Sequence, residues 1–165
     1  MQQSPAGPDP VAKKAILRQF TYGLYAVSVA HRGEASAFTA NWLTQVSFEP
    51  PLVAVSVEND SHSIGLLRAG GVFAVNVYEE GSRELAGLLG KRWSKVPDKL
   101  DRVPHRPGVT GCPILLEALG AVECRVVSSL PAGDSTLFVG EVVHAELLRE
   151  GTPLTMAASG FRHSG

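Results

Sequence analysis

Residues 38–57, FTANWLTQVSFEPPLVAVSV, decide the fold of this chain. Residues 52–57 are apolar nearly throughout and rich in valine, which is typical of a β-strand covered on both faces. Pro50 and Pro51 restrict the backbone before them and set a sharp entry into that strand. The residues before the prolines surround one indole with neutral polar groups, and Glu49 is the only charge: Thr39, Asn41, Trp42, Thr44, Gln45 and Ser47. Alone, this pattern favours a strand–loop–strand connection with Trp42 in the core, and the alternative is a binding loop.

Outward from this segment, strands alternate with short helices. Strands are predicted at residues 23–31, 35–42, 51–58, 72–78, 120–130 and 136–148. The last two are joined by the turn cluster PAGDS and form a predicted hairpin. Because hairpins dominate, we expect a mainly β fold with an antiparallel sheet, closed into a small barrel.

Three short helices are predicted beside these strands. Asp9 and Pro10 are a capping residue and a first-turn proline, and Ile16, Leu17 and Phe20 are expected to form the buried stripe of the helix that follows. A second helix is predicted within residues 59–71 and a third within 82–90, each ended by glycine. Residues 91–111 are predicted to form a long loop, and residues 151–165 an irregular tail.

Composition limits the classes of protein to consider. The chain has 165 residues and a net charge of −1, so nothing directs it to nucleic acid or to an anionic membrane. No apolar run approaches the ~20 residues of a membrane span. Residues 1–9 lack the pattern of a signal peptide and are predicted to be a disordered lead-in to one domain at 10–165. Cys112 and Cys124 are expected to be reduced and buried, which predicts a cytoplasmic protein.

Motifs for self-sufficient catalysis are missing from the sequence. It has no GxGxxG after a strand, no GxxxxGK[ST] and no GxSxG. The five histidines are scattered and have no metal-ligand spacing, so no metal site is predicted. We therefore expect a bound cofactor to supply the reactivity, and we assign no catalytic acid or base.

Two features suit a planar cofactor with an acidic tail. Asn41 can donate and accept hydrogen bonds to a heteroaromatic ring, with Trp42 or Phe48 against its face. Residues 59–63, NDSHS, begin a predicted helix, where free N–H groups and the hydroxyls of Ser61 and Ser63 form an anion site or serve simply as caps. The basic residues Lys91, Arg92 and Lys95 offer a second phosphate site, with Trp93 as a stacking surface, unless they form a solvated face.

Taken in order, these segments resemble the flavin reductase-like family, the FMN-binding split-barrel reductases. The resemblance covers about residues 20–147 and includes FTYGLYAVSV, the opening segment, NDSHS, GVFAVNVY, GCPILLEALGAVECRVV and GDSTLFVGEVVHAEL. It implies a six-stranded antiparallel split barrel of Greek-key type with a few short helices, assembled as a homodimer. It also implies FMN, or FAD, near the dimer interface.

The resemblance implies two groups of cofactor-binding residues. The isoalloxazine ring would lie along Thr39, Ala40, Asn41, Trp42, Val46, Ser47 and Phe48. The ribityl chain and phosphate would lie near Ser56, Ser61, His62 and Ser63. Lys91 is assigned to the cofactor from the basic loop and not from the resemblance. The implied activity is hydride transfer from NAD(P)H to the bound flavin, with the reduced flavin passed to a partner oxygenase or another acceptor such as ferric iron.

Two departures from the family pattern leave alternatives open. Trp42 follows the asparagine where relatives often have a small residue, and Ser135 follows Gly133-Asp134 where many have histidine. Ser135 slightly favours an FMN-binding electron carrier without nicotinamide use. A flavin- or haem-binding module is the other alternative, with His62 as the only nearby axial ligand for haem.

Overall fold

The computed structural model describes residues 6–163, and within them the chain is mainly β. Four helices are present: α1 (Pro10–Leu17), α2 (His62–Gly70), α3 (Arg83–Leu89) and α4 (Met156–Ser159). Nine strands are present: β1 (Tyr25–His31), β2 (Glu34–Ala40), β3 (Leu43–Ser47), β4 (Leu52–Glu58), β5 (Val72–Val77), β6 (His105–Pro107), β7 (Pro113–Leu115), β8 (Gly120–Ala132) and β9 (Ser135–Leu147). All six predicted strands are confirmed, although their ends differ by a few residues.

The main sheet has seven strands in the order β2-β1-β5-β8-β9-β4-β3, and every neighbouring pair is antiparallel. The expected count of six strands is therefore wrong. The extra strand is β3, which pairs with β4 in the region where the sequence predicted a loop. β6 and β7 form a separate two-stranded ladder.

The two end strands of the main sheet are consecutive in the chain. Only Asn41 and Trp42 separate the end of β2 from the start of β3. Six strand spacings of about 4.8 Å would hold these strands ~29 Å apart in a flat sheet, whereas three Cα–Cα steps span at most ~11 Å. The sheet must therefore curl until its two edges meet at Asn41 and Trp42.

The curled sheet encloses the main hydrophobic core. Alternate residues of the strands point inward, including Val27, Val55, Phe73 and Phe138, and they form one cluster with Leu67 of α2. A second cluster lies between the opposite face of β1 and β2, α3 and the C-terminal segment, and it includes Leu24, Tyr78, Leu89, Leu100 and Leu154. Because β1 and β2 are covered on both faces, they fix the position of α2 and α3 relative to the sheet.

Helix α1 begins as predicted but does not pack as predicted. The Asp9 carboxylate accepts a hydrogen bond from the amide of Val11, which confirms the capping role. The expected buried stripe is wrong, because Ile16 and Phe20 are each 56% exposed and no residue of α1 is buried. The strands, α2, α3 and the C-terminal segment already fill both clusters, so α1 leaves its apolar side chains uncovered.

Two segments predicted to be irregular contain structure. Residues 91–111 include a 3-10 turn (Leu100–Arg102) and β6, and this stretch is packed through Leu100 and Val103. The C-terminal segment forms α4 and is joined to the body by hydrogen bonds from Leu24 N to Leu154 O and from Met156 N to Tyr22 O. The segment is therefore part of the folded body.

The remaining predictions concern the ends of the chain and the thiols. Of the expected lead-in at 1–9, residues 1–5 lie outside the described residues, and residues 6–9 are exposed without helix or strand. Cys112 and Cys124 are free and buried, as expected. None of the helices in residues 6–163 is long and apolar enough to cross a bilayer.

Candidate functional site

A cavity of about 700 Å³ lies where the ends of β2 and β4 meet the start of α2, the end of α3 and the C-terminal segment. This volume is in the range of small-molecule and cofactor sites. Its lining includes nine of the twelve predicted cofactor residues: Thr39, Ala40, Asn41, Trp42, Ser56, Ser61, His62, Ser63 and Lys91. The other three, Val46, Ser47 and Phe48, lie outside the lining, and Phe48 is 90% exposed at the end of β3.

The first turn of α2 forms one wall of the cavity. Ser61 is the N-cap, and its Oγ accepts a hydrogen bond from Ser63 N at 3.3 Å. Ser63 Oγ donates to Ser36 Oγ at 2.9 Å, which joins the helix to β2. Helix N-termini present N–H groups and the positive end of the helix dipole, so this wall favours an anion.

The loop after α3 is held against the same helix end. Arg92 Nη1 lies 3.0 Å from Asp60 Oδ2, and the rings of His62 and Trp93 stack with centroids 4.0 Å apart at 9°. The ion pair is exposed and contributes little stability. The Arg92 guanidinium nevertheless offsets the negative charge of Asp60, which would otherwise repel an anion at the start of α2.

Lys99 brings a buried positive charge to the cavity wall. Its side chain is 5% exposed, and Nζ donates to the carbonyl oxygens of Leu89 at 2.7 Å and Lys91 at 2.8 Å. Burial lowers the pKa of Lys99 to about 8, because a buried ammonium loses its hydration. Two carbonyl groups occupy two of its three N–H donors, so the third is available to an anion.

Thr39 has a different role from the one its position in the sequence suggests. Its Oγ1 donates to Ala86 O at 2.6 Å, so it accepts the hydrogen bond from the Tyr78 hydroxyl at 2.9 Å. Burial raises the pKa of Tyr78, which keeps this hydroxyl protonated as a donor. Thr39 therefore holds α3 against the strands and shapes the cavity through its position.

Asn41 lies at the corner where the sheet edges meet and has an unsatisfied donor. Its Oδ1 is 3.1 Å from Nδ1 of His163, while Nδ2 is buried and has no hydrogen-bond partner among the described residues. A buried unpaired N–H costs about 1–3 kcal/mol. A ligand with an acceptor atom near Asn41 would satisfy this unpaired N–H group.

The residues present fit a flavin. The neutral amide of Asn41 and the indole of Trp42 suit a heteroaromatic ring that carries carbonyl and ring-nitrogen acceptors. The start of α2 and Lys99 suit a phosphate. A single cavity contains both kinds of group, as an amphiphilic cofactor with a planar ring and an acidic tail requires.

Sequence reasoning missed several residues of the lining. Lys99 comes from the segment predicted as a long loop, in which the sequence indicated Lys91, Arg92, Lys95 and Trp93 as the candidate residues. Phe161, Arg162 and His163 come from the tail predicted as irregular. The available sequence signals were a lysine beside Leu100 and aromatic residues near the C-terminus, and neither is specific without the tertiary fold.

Comparison with known proteins identifies the family. The model of the flavin reductase like domain matches residues 17–165, and the chain belongs to this family. The chain is 36% identical over 143 residues to a ferric-chelate reductase (NAD(P)H) of Archaeoglobus fulgidus, across 84% of this chain and 83% of the relative. It is 31% identical to the reductase subunit HsaB of a flavin-dependent monooxygenase of Mycobacterium tuberculosis, across 81% of this chain and 70% of the relative.

A solved structure supports the same conclusion. The NADH:FAD oxidoreductase SgcE6 of Streptomyces globisporus superposes with a TM-score of 0.84 and 31% identity. The match covers 98% of this chain and 99% of that protein. The curled antiparallel sheet and its helices are therefore the fold of a known flavin oxidoreductase over nearly their whole length.

Proposed function

We propose that this protein is an NAD(P)H-dependent flavin reductase that holds FMN in the 700 Å³ cavity. The observation that carries the proposal is that one cavity is lined both by Asn41, whose buried amide nitrogen has no partner among the described residues, and by Lys99, whose ammonium group is buried. The amide nitrogen of Asn41 suits a neutral hydrogen-bond acceptor, and the ammonium of Lys99 suits an anion. FMN supplies both, and FAD has the same ring with a diphosphate.

The proposed role of the protein is to bind and orient. Lys99 and the first turn of α2 hold the phosphate, while Asn41 donates to an acceptor of the ring and Trp42 forms part of the wall. When bound, a flavin accepts a hydride from a reduced nicotinamide and passes electrons to an acceptor. No side chain of the cavity is needed as a general acid or base.

The named relatives suggest two kinds of acceptor. HsaB is named as the reductase subunit of a flavin-dependent monooxygenase, and the Archaeoglobus protein as a ferric-chelate reductase. We propose a partner oxygenase as the acceptor, with ferric iron as the second candidate. The free, buried thiols of Cys112 and Cys124 suit a reducing compartment, so the proposed location is the cytoplasm.

A homodimer is part of the proposal. Val46 on β3 is 51% exposed, and Phe48, directly after this strand at the edge of the sheet, is 90% exposed. Exposed large apolar groups of this kind are typical of interaction surfaces. A second copy packed there would cover them, and Val46, Ser47 and Phe48 would approach the flavin across that interface.

One observation favours a second candidate, an FMN-binding electron carrier without nicotinamide use. Ser135 occupies the hairpin position where the family pattern often has histidine, and its hydroxyl donates to Asp134 Oδ1 at 3.1 Å. Ser135 is 2% exposed and outside the cavity lining, so this position of the hairpin supplies no imidazole to a nicotinamide.

The deciding experiment is an anaerobic absorption spectrum of the flavin-loaded protein, recorded with NADH, with NADPH and with neither. Loss of the visible flavin bands with one nicotinamide is the expected result. Bands that persist with both nicotinamides but bleach with dithionite would favour the electron carrier. Failure of the protein to bind FMN, FAD or riboflavin would overturn both candidates.

A further inference from the structure

The C-terminal segment brings His163 to Asn41, 122 residues away in the chain. The Nδ1 atom of His163 lies 3.1 Å from Asn41 Oδ1, and its ring packs on Trp42 with centroids 4.7 Å apart. Its Nε2 lies 3.5 Å from Glu58 Oε1, at ion-pair distance when the imidazole carries both protons. His163 therefore contacts the corner where the edges of the sheet meet.

The contact with His163 pairs with one of the two orientations of the Asn41 amide. An amide oxygen only accepts hydrogen bonds, so this orientation of the amide pairs with the His163 tautomer that has its proton on Nδ1 and donates to Oδ1. Rotation of the amide by 180° would place an NH₂ group against that N–H and lose the bond. The opposite end of the amide, Nδ2, is thereby left for a ligand, and it is the buried side-chain atom without a partner among the described residues.

Contacts that do not involve Asn41 hold His163 in place. Arg83 Nε donates to Ser159 O at 2.6 Å, and the Arg83 guanidinium lies 4.7 Å from the centroid of the Phe161 ring. Thr155 caps α4 by accepting from Ala158 N. Since α3 and α4 anchor the segment, the chain presents His163 to Asn41 in an arrangement formed before any ligand binds.

We propose that His163 is a positioning residue, which acts through Asn41 by holding its Nδ2 N–H toward the flavin. This inference rests on the proposed function, because the acceptor for Nδ2 is an atom of the flavin ring. His163 needs no contact with the flavin for this role. Without the His163 donor, the amide is free to rotate and present its oxygen, which repels a flavin acceptor.

Two variants test whether the Nδ1 donor or the aromatic ring of His163 is responsible for the effect. His163→Phe keeps an aromatic ring against Trp42 but removes the donor. His163→Asn loses the ring but places an amide nitrogen on Cγ, where the imidazole has Nδ1. Riboflavin is titrated against each apoprotein by flavin fluorescence, so that phosphate contacts do not enter, and the visible flavin bands are recorded at saturation.

The expected result for His163→Phe is riboflavin binding about 3- to 10-fold weaker, with shifted flavin bands, which matches the loss of one hydrogen bond. His163→Asn is expected to restore most of the affinity and the band positions. In an Asn41→Ala background, His163→Phe is expected to have no further effect, since the two residues act as one unit. The melting temperatures of the apoproteins check that the variants fold.

The outcomes separate this inference from the proposed function. If the wild-type chain binds no flavin, the proposed function fails. If it binds flavin and His163→Phe binds riboflavin as tightly with unchanged bands, the role of His163 is refuted. A loss that persists in the Asn41→Ala background, or that His163→Asn does not reverse, refutes it also, because the ring rather than the donor would then matter.

Discussion

The ammonium group of Lys99 donates to the carbonyl oxygen of Lys91 across 2.8 Å, and this bond holds a buried cation in the cavity wall. A second bond to Leu89 O at 2.7 Å fixes the same group at the end of α3. Neither acceptor carries a full negative charge. A buried cation whose partners among residues 6–163 are all neutral is expected to attract an anion, and in this cavity the candidate is the flavin phosphate.

Replacement of Lys99 by Met is therefore expected to weaken FMN binding about tenfold or more and to leave riboflavin binding nearly unchanged. The expected size follows from one charge-assisted hydrogen bond, worth roughly 1.5–3 kcal/mol. Fluorescence titration of both flavins measures the difference. Lys95→Met is the matched control, because Lys95 is an exposed lysine of the same loop outside the cavity lining. Equal weakening of FMN and riboflavin by Lys99→Met would show that the residue supports the fold of the loop and does not contact phosphate.

The lowered pKa of Lys99 also predicts how stability changes with pH. The folded chain gives up this proton near pH 8, whereas the unfolded chain holds it to about 10.5. Between these values the unfolded state binds more protons, so the free energy of unfolding rises with pH. Urea unfolding of the apoprotein from pH 7.5 to 9.5 is expected to show a steeper rise for the wild type than for Lys99→Met. Identical slopes for the two proteins would contradict a buried, desolvated ammonium.

A carboxylate at Ser61 tests the anion site at the start of α2. Aspartate caps helices as well as serine does, so Ser61→Asp is expected to leave the melting temperature nearly unchanged. Its negative charge is expected to weaken FMN binding at least tenfold by repelling the phosphate, while riboflavin binding is unaffected. Isothermal titration with both flavins provides the measurement. Retained FMN affinity in a normally folded Ser61→Asp protein would place the phosphate elsewhere.

The sequence predicted most of the sheet because its strands carry the expected signals. Buried valines and alternating residues mark β1, β4, β5, β8 and β9, and glycines mark the helix ends. It did not predict β3, since Thr44, Gln45 and Val46 are all exposed and show no alternation. β3 is an end strand, and its existence depends on pairing with β4. The prediction of a buried apolar stripe on α1 was wrong because helical periodicity does not reveal whether another element packs against the helix.

The candidate site was predictable only where its groups are local in sequence. Asn41, Trp42 and Ser61 lie next to strand ends or helix caps, which sequence patterns can locate. Lys99 and His163 reach the cavity through a loop and a C-terminal segment whose courses depend on long-range packing. Lys99 is recognised as a site residue by its burial and His163 by its hydrogen-bond partner, and neither property is visible in the sequence.

Gly140 and Gly65 provide a test of the packing in the curled sheet. A Cβ at Gly140 on β9 would overlap the ring of Phe73 and the Cβ of Cys124, so Gly140→Ala is expected to destabilise the protein by about 1–3 kcal/mol. A Cβ at Gly65 in α2 would meet open space, and alanine favours helix there, so Gly65→Ala is expected to stabilise by about 0.5–1 kcal/mol. Urea unfolding of both variants measures the change in the free energy of unfolding, which is expected to have opposite signs. A Gly140→Ala protein as stable as the wild type would contradict the close approach of β9 to Phe73.

The proposed dimer predicts that a charge at Phe48 separates the subunits. Phe48 is 90% exposed beside β3, so Phe48→Glu costs little in the isolated chain but buries a carboxylate at the proposed interface. Sedimentation equilibrium is expected to show a dimer for the wild type and mainly monomer for Phe48→Glu. Val109→Glu is the matched control, because Val109 is 69% exposed on the loop before β7 and its replacement is expected to leave the dimer intact. Since Val46, Ser47 and Phe48 would reach the flavin only across that interface, the monomeric variant is also expected to bind FMN more weakly. A monomeric wild type, or a Phe48→Glu protein that remains dimeric, would exclude this surface as the interface.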